Sequence, residues 1–186
     1  MTHSFSGKIN QLVIVLLVAV ATVAAQDATP WQTIRDPQGV FQVRMPGAAT
    51  AKVDSIETAM GTAAYHVFFY QEPNEQADNL FYMLSYTDYP DSTFHADSTA
   101  FIQEFFQSTV DAATLSVEGK LIYENADNWR QYPGYRWRIQ YLDDQAVIKT
   151  RAFLVGDRYY ALQTISIVQR AVNEGTDRFF RSFKLL

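Results

Sequence analysis

Five cations near the carboxyl end, Arg136, Arg138, Lys149, Arg151 and Arg158, are the side chains whose types and spacing most plainly could do chemistry. Guanidinium forks grip carboxylates and phosphates through paired N–H donors, and an ammonium adds a point charge. On adjacent antiparallel strands Arg138 would lie opposite Lys149, and Arg136 opposite Arg151. Like charges placed that way repel unless an anion relieves them. The group therefore reads either as a grip for an acidic partner, or as cations that splay into water or pair with acids such as Glu104, Asp111 or Glu124.

A second group, Asp88, Asp91, His95 and Asp97, offers oxygen ligands and one imidazole to a divalent cation. Its spacing lacks the central glycine and terminal glutamate of a calcium loop, and an aspartate just before a helix is ordinarily a cap. No metal or other cofactor is expected. Catalytic residues are not expected either. His66 and His95 lie outside any Gly-x-Ser-x-Gly or His-Glu-x-x-His arrangement, and the absence of cysteine removes thiol chemistry. His66 reads as a strand histidine facing water or a tyrosine, and the chain as non-enzymatic.

The elements that must position the cations are three β-rich runs, 132–141, 146–155 and 158–168, separated by Asp143-Asp144 and Gly156-Asp157. Two-residue turns of Gly and Asp between such runs signal hairpins. Two-residue turns fix the pairing, so that paired residue numbers sum to 287 across the first hairpin and 313 across the second. One face then carries Tyr135, Trp137, Ile139, Ile148, Ala152, Leu154 and Ala161 as core, and the other carries the cations with Phe153, Tyr160 and Leu162. A one-residue slip would place Trp137 beside Arg151 and spoil the core face.

Upstream, Trp31–Arg35 and Val40–Met45 flank Asp36-Pro37-Gln38-Gly39, a hairpin. Strands are expected at 51–58 and 63–70, followed by a solvated loop at 71–78. The nearly continuous apolar run Leu80–Tyr86 reads as a central strand covered on both faces. Phe101, Ile102, Phe105, Phe106, Val110 and Ala113 recur at spacings of three and four, which predicts one long helix capped at Asp97 or Ser98. A strand at 120–124 leads to the meander, and a short helix and the tail 179–186 close the chain.

The first 25 residues read as a secretory leader: a weakly basic start, an apolar stretch from Leu12, and Val23-Ala24-Ala25 before a cleavage point. The apolar stretch is shorter than the roughly 20 residues that span a bilayer. Residues 26–186 are expected to form one domain without a membrane span, in the periplasm or outside a bacterial cell. With no cysteine, the domain must be held by its core alone. Losing Lys8 with the leader leaves 14 basic against 20 acidic residues, a net −6, which argues against nucleic acid as a partner.

The order of leader, Gly39-Val40-Phe41-Gln42-Val43-Arg44-Met45-Pro46-Gly47 hairpin, a strand ending Ser85-Tyr86-Thr87-Asp88-Tyr89-Pro90, a long helix, Leu154-Val155-Gly156-Asp157-Arg158-Tyr159-Tyr160 and Arg178–Leu185 resembles uncharacterised bacterial exported proteins of the PsbP-like fold superfamily. The resemblance covers 31–186. It implies an α+β fold, an antiparallel sheet flanked by helices on both faces as an α/β/α sandwich, and roles in binding or assembly. The expectation is an exported binding or assembly-support domain for a protein or other component of the cell envelope. The alternative is a binder of a small apolar or anionic molecule.

Overall fold

The computed structural model describes residues 30–58, 61–95 and 98–186; the leader expected at 1–25 lies outside the described residues. The elements in order are β1 (Gln32–Asp36), β2 (Phe41–Met45), β3 (Thr50–Thr58), β4 (Gly61–Gln71), β5 (Phe81–Asp88), α1 (Thr99–Ser116), β6 (Lys120–Ala126), β7 (Gly134–Tyr141), β8 (Ala146–Val155), β9 (Arg158–Ile167), α2 (Glu174–Ser182) and β10 (Lys184–Leu185). A single 3-10 turn, Val168–Arg170, precedes α2.

A seven-stranded antiparallel sheet runs β3-β4-β5-β9-β8-β7-β6, and a three-stranded one runs β1-β2-β10. The meander has the register expected of it, with Trp137 opposite Thr150 and Ala152 opposite Ala161. Local chemistry sets that register. Asp143 and Asp144 take φ of 49° and 64°, the left-handed pair that a type I′ turn needs and that aspartate tolerates. Gly156, at φ 61°, opens the next turn.

Two cores lie on the two faces of the large sheet. On one, Ile102, Phe106 and Val110 of α1 pack on Trp137, Ile139, Ala152, Leu154 and Ala161. On the other, Phe41, Val43 and Met45 of β2, with Phe179 and Phe183, pack on Leu84, Phe153, Tyr160 and Leu162. Each fully buried ring or aliphatic chain contributes roughly 1.5–3 kcal/mol, and the edge-to-face contacts among the rings add to that. Trp137 is 1% exposed.

The expected α/β/α sandwich is corrected by this second face. The molecule is mostly β, with α1 and α2 its two α-helices among the described residues, and the second face is covered largely by another sheet. The cause is the tail: Lys184 and Leu185 pair with Gln42 and Phe41, which makes the early hairpin a sheet of its own. Its apolar row, Phe41, Val43 and Met45, then covers the large sheet where a helix was expected, and the nine-residue α2 fills only the remaining strip. Among the described residues no helix is long and apolar enough to cross a membrane.

Candidate functional site

The pairing of β7 with β8 places Arg136 opposite Arg151 and Arg138 opposite Lys149, as the turn geometry requires. Helix α2 runs beside these strands. Asn173 caps it by accepting from the Thr176 amide at 2.8 Å, and Thr176 Oγ1 lies 3.1 Å from Thr164 Oγ1 of β9. Between helix and strands opens a cleft of about 320 Å³, lined by Arg136, Lys149, Arg151 and Arg181 with Asp127 and Asp177. The fifth expected cation is elsewhere. Arg158 pairs with Asp88, donates to the Gln38 carbonyl at 3.0 Å and stacks over the Tyr86 ring at 4.8 Å. Arg158 thus braces the β1–β2 turn and does not line the cleft.

Only part of the cleft's charge is neutralised. Arg151 Nε donates to Asp127 Oδ2 at 2.6 Å, in a partly buried pair whose side chains are 21% and 22% exposed. Lys149 donates to the Ala171 carbonyl. Burial lowers the Lys149 pKa, the charge of Arg138 lowers it further, and Asp177 opposes both. Arg138, opposite Lys149, is not among the residues that line the cleft, and its Nε is buried without a hydrogen-bond partner. Among the described residues the ion pairs are Arg151–Asp127 and Arg158–Asp88, so Arg136, Arg138 and Arg181 have none. The acids expected as partners are misplaced for that role. Glu104 and Asp111 ride on α1 across the sheet, and Glu124 pairs in register with Trp137, on the α1 face.

A larger open cleft, about 950 Å³, lies on the other side of α2 and shares Arg181 with the first. Trp31, Tyr70 and Tyr82 give it aromatic surface, and Arg44, Arg178 and Lys184 give it positive charge. The Arg178 guanidinium sits 4.5 Å from the Trp31 ring centre, and Trp31 meets Tyr82 edge-to-face at 5.5 Å. Three acids, Glu72, Asp78 and Glu174, line it too. Glu72 accepts from Tyr70 Oη and the Asn74 amide, both at 3.2 Å, and Glu174 lies in the first turn of α2. Two glycines permit the arrangement, because a Cβ at Gly47 would collide with the Tyr70 ring and one at Gly175 with Tyr82 Oη.

Sequence reasoning missed this cleft. Its wall at 71–78 is the solvated loop expected; what was missed is Asn79 just beyond it, 1% exposed. The signal available was Asn79 immediately before the apolar strand 80–86.

Other candidates are dispersed. Among the described residues no group of three or more His, Asp or Glu could hold a metal ion. Asp88 is taken by Arg158, and Asp97 lies outside the described residues. Asp157, rather than any of these, organises the connection: it accepts from the Ser92 and Phe94 amides at 2.9 and 2.8 Å, which hold its carboxyl below the usual range. Ser98 is the N-cap of α1 but makes no side-chain capping bond. His66 stacks on Tyr86 at 4.3 Å, the tyrosine contact expected for it. A third cavity, about 370 Å³, lies beside α1 against Ile102, Phe106, Pro133 and Tyr135.

No protein-family model matches the chain, and no curated protein matches it in sequence. Solved structures do match. Cyanobacterial PsbP (CyanoP) from Synechocystis superposes with a TM-score of 0.54 at 12% identity, over 90% of this chain and 99% of that one. The Ran-binding protein Mog1p of Saccharomyces cerevisiae matches with a TM-score of 0.47 at 8% identity, over 84% and 96%. The chain has a PsbP-like fold.

Proposed function

We propose that this chain is an exported, non-enzymatic binding domain that recognises a protein partner of the cell envelope by gripping an acidic group in the cleft between α2 and strands β7–β8. One observation carries the reading. Arg136 and Arg151 are held face to face by the sheet and line the cleft with Lys149, and Arg136 has no ion-pair partner. Like charges opposed in this way repel unless an anion relieves them. A carboxylate or phosphate entering the cleft would relieve the repulsion among Arg136, Lys149 and Arg151 and take up their free donors.

Export rests on the leader at 1–25, and periplasmic or extracellular residence follows from it. The non-enzymatic reading rests on His66 being stacked on Tyr86 and on the absence of a catalytic signature around either histidine of the exported part.

The test is crosslinking and pull-down from the native envelope with wild type, the single variant Arg136→Glu and the double variant Arg138→Glu/Arg151→Glu. Arg136 is exposed and unpaired, so its variant keeps the fold; circular dichroism checks the double variant. Partners captured by wild type and lost from Arg136→Glu support the reading, and equal capture by all three proteins refutes it. If only a small anionic molecule is retained, the domain is a small-molecule binder using the same cleft.

A further inference from the structure

We infer that the aromatic cleft and the cationic cleft are two halves of one docking surface, which takes an extended acidic peptide segment that carries an aromatic side chain. This rests on the proposed anion-gripping role of the cationic cleft, and it names what kind of chain brings the anion.

Three observations converge. The clefts adjoin across α2, because Arg181 lines both. Positive charge is in local excess there: in a chain of net charge −5, seven of its 15 basic side chains line the two clefts against five acids, Glu72, Asp78, Asp127, Glu174 and Asp177. A surface of that sign favours acidic partners and speeds their encounter. The wider half is floored by rings rather than aliphatic chains. Trp31 and Tyr82 form a fixed corner, and Tyr70 stands beside them with its ring wall kept free by Gly47.

A rigid aromatic corner with a guanidinium already stacked on it favours a further ring, through edge-to-face contact and cation–π attraction. Its volume, about 950 Å³, suits a side chain and the backbone on either side of it. The helix between the halves sets the spacing. A ring seated by Trp31 leaves the segment's acidic residues to cross α2 at Arg181 and reach Arg136 and Lys149.

The test uses calorimetry with three synthetic peptides of ten residues at low salt: an Asp/Glu-rich peptide with a central Phe, the same peptide with Ala in place of Phe, and a Lys-rich peptide with Phe. Wild type is expected to bind the acidic Phe peptide about tenfold more tightly than its Ala counterpart, and not to bind the Lys-rich one. Trp31→Ala should erase that preference and leave the weaker, salt-sensitive binding of the Ala peptide. Gly47→Leu, which displaces the Tyr70 ring, should act in the same direction. Equal affinity of wild type for the two acidic peptides overturns this inference while leaving the anion grip standing. Failure of both acidic peptides to bind overturns the grip itself and the inference with it.

Discussion

Replacing Asn79 by alanine is expected to cost about 2–4 kcal/mol of unfolding free energy. Asn79 is the link between the loop that walls the aromatic cleft and the helix that divides the two clefts. Its Nδ2 donates to Tyr82 Oη at 3.0 Å and to Asn173 Oδ1 at 2.9 Å. Its Oδ1 accepts from Asn173 Nδ2 and from Thr176 Oγ1, both at 3.0 Å. Four bonds at about 1 ± 0.5 kcal/mol each set a range of about 2–6. The lower part of that range applies, because most partners keep a second bond: Asn173 Oδ1 retains the Thr176 amide, Asn173 Nδ2 the Arg170 carbonyl, and Thr176 the Thr164 hydroxyl. For a domain of this size the melting temperature should fall by roughly 5–15 °C. Urea unfolding measures the change directly, with an unaltered slope if only stability is affected. The double variant with Asn173→Ala should show a coupling of about 1–2 kcal/mol, because the two amides bond each other in both directions. A loss below about 1 kcal/mol, or strict additivity in the cycle, would refute the claim that this network fixes α2 on the sheet.

Two further outcomes are expected. Lys149 has a folded-state pKa below its ordinary 10.5, so just beneath that value the unfolded chain binds more protons than the folded one and stability rises with pH. Tyrosines whose pKa is raised by burial, such as Tyr86 at about 12, oppose this only once the unfolded chain passes 10.0. Unfolding measured between about pH 8 and 10 should therefore show a rise in wild type that is flattened in Lys149→Met, with stability at pH 7 within about 1 kcal/mol of wild type; an unchanged slope would assign it to another group. Trp137→Ala should cost about 3–5 kcal/mol by opening a cavity beneath α1, and a thermal melt close to that of wild type would place the indole outside the core.

How far the sequence discloses this molecule depends on how local its determinants are. The β7–β8–β9 meander is legible because Asp143-Asp144 and Gly156-Asp157 fix the turns, and strict alternation then assigns every side chain to a face. Helix α1 is legible for a similar reason: the buried row Ile102, Phe106 and Val110 is written at helical spacing. The second sheet is not. Its third strand is two residues long and pairs with β2 across some 140 positions, a contact that no propensity or turn signal records. The face opposite α1 was consequently assigned a helix where β2 supplies the cover.

The same distinction runs through the site. Arg136, Arg138, Lys149 and Arg151 come together because one hairpin holds them, so their repulsion could be read before any coordinates. Arg158 shares their face by alternation, yet it lies at the far end of its strand, where Asp88 of the neighbouring β5 is its direct register partner. Face alone therefore does not make a site; position along the strand decides which charges can act on one ligand. The aromatic cleft draws on β2, the β4–β5 connection and α2, and its members Trp31, Tyr70 and Arg178 acquire common meaning only when β10 folds the tail back along β2. A two-residue strand thus does more for recognition than its length implies. It seats the end of α2 against the hairpin, through Ser182 Oγ accepting the Arg44 amide at 2.9 Å, and so closes one wall of the cleft that the cationic strands cannot form by themselves.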